Sequence, residues 1–296
     1  IDTLAYNTYI TAFNSNMVVN ESFLDSATLR QNVVSLAGNI GYTPRSRTAA
    51  NAQISFNVNV SDTTSTLTLE PGLVCTGDIN NETYTFAITE SITANVVNKV
   101  AKFENINVFQ GTYLEKEFIF DGSLDQRFIL DNSFIDTSKI VVFVKNDGDD
   151  GDGIQYNLIN DIINVDSNSK IFLINEIQDE KYELKFGDGF FGKKLGIETG
   201  QDGNRIKVRY ITTDGEDGNG AQRFSFSGRF TKSDGNPVNV QVSEITTNVK
   251  SQNGGNIEPI DSVKYFSPLT YSSQNRAVTA RDYEAIIKKV YPNTES

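Results

Sequence analysis

The chain has 296 residues, 26 Lys+Arg against 38 Asp+Glu, and a formal net charge of −12. Such an acidic surface repels phosphate backbones and argues against nucleic acid as a partner. With no histidine and one cysteine, Cys75, the chain lacks the parts for a Ser-His-Asp triad, a Cys-His pair, a His-ligated zinc or an intrachain disulfide, and a reducing compartment fits.

In chain order, Leu4, Ala5, Tyr9, Ala12, Phe13 and Val18 fall at roughly helical spacing and predict a first amphipathic helix. A second begins at Ser26 as N-cap, carries Leu29, Val33, Leu36 and Ala37, and stops at Gly38. "GYTPRSRTAANA" is then a loop. Two such helices cannot bury themselves, so they must pack on a partner chain or on residues preceding Ile1. Leu4, Tyr9 and Phe13, with the face Leu29, Val33 and Leu36, are the candidate partner-binding residues. Helix packing within the chain is an equal alternative for them.

From Ala52 the apolar period changes from about 3.6 to 2. Ile54, Phe56, Val58 and Val60 alternate with polar residues, as do Leu67 and Leu69, and Tyr84, Phe86 and Ile88. In "NRIKVRYIT", Ile206, Val208 and Tyr210 face one way and Arg205, Lys207 and Arg209 the other. Turn clusters such as "NDGDDGDG" and "TDGEDGNG" separate the runs. This pattern predicts antiparallel sandwich or barrel-like β domains. Cys75 follows a strand-like stretch and reads as a small buried hydrophobe. Near the end, Thr279 with Asp282 three residues on resembles a capping box. It opens a helix with Tyr283, Ile286, Ile287 and Val290 on one face, Lys288 and Lys289 in the last turn, and Pro292 as its stop.

The expected class is α+β: an N-terminal helical pair, mainly antiparallel β domains, and a C-terminal helix. The expected divisions are 1–50 (helical segment), 51–220 (β domain or domains), 221–255 (β extension or linker) and 256–296 (a further module). No apolar run reaches the roughly 20 residues of a membrane-spanning helix, so no membrane contact is expected. "IDTLAYNTYI" has no basic-then-apolar signal segment. Both ends read as cut, and a fragment of a longer polypeptide is expected.

Few motifs carry chemistry. In "KFGDGFFGKK", Gly187, Gly189 and Gly192 spell G-x-G-x-x-G, and Gly187, Gly192 and Lys193 spell G-x-x-x-x-G-K. A phosphate loop needs a helix after it and a Ser or Thr after the lysine. Here Lys194 takes that position and a glycine-rich stretch follows. A tight turn is expected instead, with Asp188 at its tip and Phe190 and Phe191 packed beneath. Asp147–Asp152 is acidic enough to bind calcium, but a loop counted from Asp147 puts Gly151 at position 5 and Asp152 at position 6, out of EF-hand register. Arg276 could pair with a carboxylate, and structural anchoring is expected of it. No carboxylate pair is marked as facing, as a glycosidase requires. No catalysis, no cofactor and no metal are expected. The alternative is a β-sandwich surface protein that binds sugar or calcium.

Four stretches resemble one family. "LAYNTYITAFNSNMVVNESFLDSATLRQNVVSLAGNIGYTPRSRTAA" looks like the N-terminal region of the baseplate wedge protein of T-even-like contractile-tailed phages. "LKFGDGFFGKKL" and "VRYITTDGEDGNGA" are similar to its F-G-D/E-G and Y-x-x-T-x-G-x-x-x-N-G-A signatures. "VFQGTYLEKEFIFDGSLDQRFILDNSFIDTSKIVVFV" resembles its middle β region, and "QNRAVTARDYEAIIKKVYP" the R-A/C-V-T-x-x-D-Y signature of the baseplate J-like family. The resemblance implies a structural virion protein of the tail baseplate, assembled in the host cytoplasm. It implies as partners other wedge subunits, a sheath-initiating subunit and a second copy of the chain. It also implies that the N-terminal helices join a core bundle, that 256–296 begins a J-like module, and that further chain follows Ser296.

Overall fold

A computed structural model describes residues 2–61, 63–123, 125–159, 165–196, 203–238, 240–274 and 276–290. The class is α+β. The chain divides into two compact units: one of residues 1–45, 176–179 and 258–296, the other of 46–175 and 180–257.

The first unit is helical. Helix α1 spans Asp2–Glu21 and α2 spans Arg30–Asn39; α3, Ile260–Ser273, and α4, Ala280–Val290, come from the other end of the chain. Its core is small: Ala27, Val33, Ala37 and Val263 are fully buried, with Leu24, Leu36, Tyr42 and Ile260 packed around them. Small side chains here let α2 and α3 approach closely. Pro268 lies inside α3, where it removes one helix hydrogen bond. The expected N-cap Ser26 is not one. Its hydroxyl donates to the Asn20 carbonyl at 2.6 Å, and α2 starts at Arg30 with Leu29 in the cap position. Gly38 is likewise inside α2, which ends through Ile40 and Gly41. The expected capping box of α4 is present: the Asp282 carboxylate accepts from the backbone N–H of Val278 and Thr279, and the Thr279 hydroxyl accepts from the N–H of Asp282. Arg276 donates to the Gln274 side-chain oxygen at 3.0 Å rather than to a carboxylate. Residues 291–296 and the side chains of Lys288, Lys289 and Val290 lie outside the described residues, so the last-turn lysines and the Pro292 stop do too.

The second unit is built of strands. They are β1 Asn51–Asn59, β2 Thr66–Leu69, β3 Gly72–Ile79, β4 Glu82–Ile88, β5 Ile92–Val97, β6 Val100–Gln110, β7 Thr112–Ile119, β8 Phe128–Leu130 and β9 Val141–Lys145. Then come β10 Ile154–Leu158, β11 Ile171–Glu176, β12 Tyr182–Phe186, β13 Arg205–Thr212, β14 Phe224–Phe226, β15 Phe230–Lys232, β16 Gln241–Val242 and β17 Thr246–Gln252. Among the described residues they form two sheets. One runs β14-β3-β4-β6-β5-β2-β15, with β1 joining β6 to β16 and β17; the other runs β7-β13-β9-β10-β11-β12-β8. Among the strand pairings with a described register, β10 with β11 is parallel and the rest are antiparallel; the isolated bridge Gly187–Lys194 is parallel too. Period-2 alternation does what it promised: Ile54, Phe56, Val58 and Val60, Leu67 and Leu69, and Phe86 and Ile88 share one core with Cys75. Ile206, Val208 and Tyr210 lie in the core of the second sheet. Burial pushes the Cys75 thiol up to about 12, as suits an inert core residue. The stretch 221–255 contributes β14–β17, which pair with β1, β2 and β3.

The chain passes from the first sheet to the second at Gly111 and returns after Thr212. A buried polar joint holds this crossing. The Gln110 side chain, 1% exposed, donates to Asp214 Oδ2 at 2.7 Å and accepts from the Thr213 hydroxyl at 2.7 Å and the Asp214 N–H at 3.1 Å. Asn219 exchanges two hydrogen bonds with the Gly254 backbone, and the Ser251 hydroxyl donates to Gly218 O and accepts from Ala221 N.

Candidate assembly surface

Helix α1 is where this structure departs from an ordinary globular domain. None of its described residues is buried. From Thr3 to Asn20 it carries no charged side chain, whereas a solvent-facing helix normally shows a charged face. Leu4, Tyr9 and Phe13 are 73%, 66% and 55% exposed. These three do not share a face. Nine residues separate Leu4 from Phe13, about two and a half turns at roughly 3.6 residues per turn, so they point to opposite sides. The continuous stripe is Tyr6, Tyr9, Ile10, Phe13 and Met17, at spacings of i, i+3, i+4, i+7 and i+11. Leu4 and Val18 lie on the other side. Tyr6, Ile10 and Met17 are hard to single out in the sequence because an approximate helical period does not separate the two sides of a helix.

Two hydroxyls of α1, and that of Ser22 just past its end, bond back to the helix backbone. Thr8, Ser15 and Ser22 donate to the carbonyls of Leu4, Thr11 and Val18 at 2.9, 2.8 and 2.7 Å. Bonds of this kind satisfy a hydroxyl within its own helix. The side of α1 opposite the aromatic stripe can therefore be covered without stranding those donors.

Of the second candidate face, Leu29 is 42% exposed and Leu36 is half-buried. Val33 is fully buried among Ala27, Ala37 and Val263 of its own unit. Val33 is thus a core residue, and Leu29 is the exposed member of the set.

The turn from α1 to α2 is fixed by a residue that sequence reasoning passed over. The Glu21 carboxylate accepts from the Thr28 hydroxyl at 2.6 Å, the Thr28 N–H at 2.8 Å, the Leu29 N–H at 3.2 Å and the Asn32 amide at 2.8 Å. It caps α2 from the end of the preceding helix, the place Ser26 was expected to take. The signal was a glutamate seven residues ahead of a threonine and an apolar run, which no short-range capping rule covers. The Thr28 hydroxyl first, then Asn32 and the Thr28 N–H, hold the Glu21 carboxyl at about 2, below its ordinary 4.5. Because the folded value is depressed, the stabilisation is present above pH 4.5 and is lost as pH falls toward 2. We expect the Glu21 carboxyl carbon to titrate near pH 2 by NMR, with the Thr28 and Leu29 amides losing protection over that window. A midpoint near 4.5 would rule the cap out.

Arg30 extends this anchoring. Its guanidinium grips Glu176 in two bonds, at 2.6 and 3.0 Å, and donates to the Glu258 carbonyl. Glu258 is 6% exposed, and its carboxylate gathers the Tyr42 hydroxyl and the Ser262 hydroxyl, both at 2.7 Å, and the Arg45 N–H at 3.0 Å.

The acidic turn has cations for company. Asp147 accepts from Arg205 at 2.6 Å; Asp152 accepts from Lys207 at 3.2 Å and Arg209 at 2.8 Å. Glu115 and Glu117 of β7 complete the row. The outward basic face of β13 is therefore the counter-charge of the turn. These bonds engage Oδ1 of Asp147 and Oδ1 of Asp152.

The "KFGDGFFGKK" loop is a turn with Asp188 at its tip, as expected, its carboxylate accepting from the N–H of Phe190 at 2.8 Å and Phe191 at 2.9 Å. Phe190 and Phe191 are not packed beneath it: they are 84% and 58% exposed. A turn this tight turns the side chains that follow its tip outward. The expected absence of a following helix concerns partly residues 197–202, which lie outside the described residues.

The four stretches quoted above thus have structural work: the Glu21–Arg30 anchoring and the Tyr42–Glu258 bond in the first, the Asp188 turn and the Thr213–Ala221 joint in the second, Gln110 of that joint in the third, and the Thr279–Asp282 box in the fourth. No protein-family model matches the chain. "Baseplate wedge protein gp6" of Enterobacteria phage T4 is 28% identical over 307 residues, 97% of this chain and 44% of the relative. The chain is similar to a phage baseplate wedge protein. It spans less than half the length of that relative, and the likeness reaches from the helices of the first unit through both sheets.

Proposed function

We propose that this baseplate-wedge relative is a non-catalytic structural subunit of a phage tail baseplate, and that α1 is its docking element. One observation carries the reading: twenty residues of helix with no buried side chain and no charge between Thr3 and Asn20. An isolated helix of this length is marginal in water unless its apolar face is covered. The aromatic stripe Tyr6–Met17 on one side, and Leu4 and Val18 with back-bonded hydroxyls on the other, fit a helix packed from two sides in a bundle. The partners fitting this are other wedge subunits, a sheath-initiating subunit and a second copy of the chain, and the location is the virion tail.

The experiment is co-expression of the chain with the other wedge subunits of the same phage. Phe13→Asp is expected to reduce co-purification by roughly tenfold or more, because it charges the centre of the stripe. Its melting temperature should stay within a degree or two of the parent, because Phe13 is 55% exposed and no described residue of α1 is buried. Leu4→Asp tests the second side. Undiminished assembly by the Leu4→Asp/Phe13→Asp double variant would overturn the proposal.

A further inference from the structure

The first sheet opens along one edge of β6. Strand β4 covers that edge only at Phe109 and Gln110, and β5 covers it only at Val100 and Ala101. Between these two contacts, from Lys102 to Val108, the edge meets no described strand, while β1 holds the opposite edge. The phase of each ladder shows where the backbone groups point, because bonded and unbonded pairs alternate between antiparallel strands. Val60 N–H donates to Lys99 O at 2.9 Å and Gln110 N–H to Ala50 O at 2.7 Å, one on each side of the bulge at Asn105. Counted from these bonds, Lys102 and Asn107 turn their N–H and C=O away from β1. On the facing wall, Val96 N–H donates to Ser65 O at 2.9 Å, so Thr93 turns its N–H and C=O away from β2. A cavity of about 830 Å³ lies between the two walls. Its lining has two sides: Ile92, Ala94, Phe103 and Ile106 pack in or on the core, whereas Thr93 and Glu104 are exposed.

We propose that this slot takes an extended segment of a partner protein, which joins β6 as an added strand with apolar side chains inward and polar ones outward. The backbone groups on the two walls identify the occupant. An open strand edge is a template for another strand. Main-chain bonds then supply affinity, and pockets for alternate side chains supply selectivity. A small molecule does not offer N–H and C=O to two walls at strand spacing; an extended polypeptide does. Because β5 and β6 are antiparallel, the inserted segment runs antiparallel to one and parallel to the other. A second copy has no spare strand to lend, since β1 to β17 are each already paired in one of the two sheets. The proposal rests on the baseplate reading above, since the segment is sought among the other wedge subunits.

The test is hydrogen exchange on the full chain, alone and co-purified with the other wedge subunits of the same phage. The Thr93 and Asn107 amides are expected to exchange freely in the chain alone and roughly a hundredfold more slowly in the complex. Thr93→Pro removes a donor that faces the slot and breaks no bond of the ladder, a position where a strand tolerates proline. In its complex the Asn107 amide is expected to lose protection by roughly tenfold, for one bond withdrawn from the added strand. Thr93→Val keeps the N–H and should leave that protection as in the parent. A complex in which both amides exchange as in the free chain overturns the slot and leaves the wedge reading standing. No complex with the parent overturns both. Asn107 protection that Thr93→Pro leaves unchanged, or that Thr93→Val removes as fully, means cover without strand pairing and overturns the proposal. Protection that appears in the chain alone and grows with its concentration gives the slot to a second copy and also overturns it. Should Thr93→Pro melt well below the parent, the parent's two amides decide.

Discussion

Glu258→Ala is expected to destabilise the helical unit by about 3–5 kcal/mol, at an order of 1–3 kcal/mol for each buried donor left without a partner. The substitution strands three donors at once: the Tyr42 hydroxyl, the Ser262 hydroxyl and the Arg45 N–H. Burial first, and then the charge of Glu258, push the Tyr42 phenol above its ordinary range, so Tyr42 stays a donor throughout the physiological range. The unit has little with which to offset the loss, its fully buried apolar residues being Ala27, Val33, Ala37 and Val263. Opening is therefore expected to be local, with amides of α2 and α3 exchanging faster while the two sheets keep their protection. Glu258→Gln keeps the shape and one acceptor and should lose about half as much. Urea denaturation with hydrogen exchange measures both. A shift below about 0.5 kcal/mol for the alanine variant, the range of neutral surface changes, would show that the network is not what holds α2 to α3.

Gly111→Ala is expected to cost about 3 kcal/mol or more, through backbone strain combined with overpacking. Gly111 has φ +138°, a conformation that side chains rarely adopt, and an added Cβ would stand 2.3 Å from the Thr212 carbonyl oxygen and 2.5 Å from Ile211. Relief by local shift is blocked on both sides: the Gly111 N–H donates to Thr85 O at 2.9 Å, and its carbonyl accepts from the Thr85 hydroxyl at 3.0 Å. The neighbouring Gln110→Ala tests the same joint without touching the backbone, leaving Asp214 and Thr213 without their shared partner. Thermal unfolding of both variants is the measurement. A Gly111→Ala protein that melts with the parent would mean that the crossing between the sheets is slack.

The strands were legible because alternation is a direct image of burial. Ile54, Phe56, Val58 and Val60 point one way, and the core is on that side. The α4 capping box was legible because its two residues are three apart and nothing tertiary intervenes. Helix α3 was not, because Pro268 reads locally as a stop while the packing of Val263 and Ile260 carries the helix through it. The Glu21 cap was hidden by its reach across a turn, and the partners of Asp147 and Asp152 by the separation in sequence between that turn and β13. Of the candidate surface, the existence of an unburied N-terminal helix could be read, but the side on which its aromatic stripe lies could not. Leu4 and Phe13 satisfy an approximate period while pointing apart, and Val33 is indistinguishable from Leu29 until α3 covers it. Phe190 and Phe191 misled for the opposite reason: two adjacent aromatics imply a core unless the backbone between Gly187 and Gly192 is known.

The charge-free flank of α1 has a consequence for timing. A helix that is marginal alone postpones the entropy of its own ordering until a neighbour arrives, so a first encounter is weak and reversible. Covering only the aromatic stripe leaves Leu4 and Val18 wet; covering both sides closes the helix off from water. If α1 docks as proposed, contact with a single neighbour would be readily abandoned, and commitment would come when the second flank is filled. On the docking role proposed for α1, one uncharged helix would let an assembly distinguish a complete set of neighbours from a partial one.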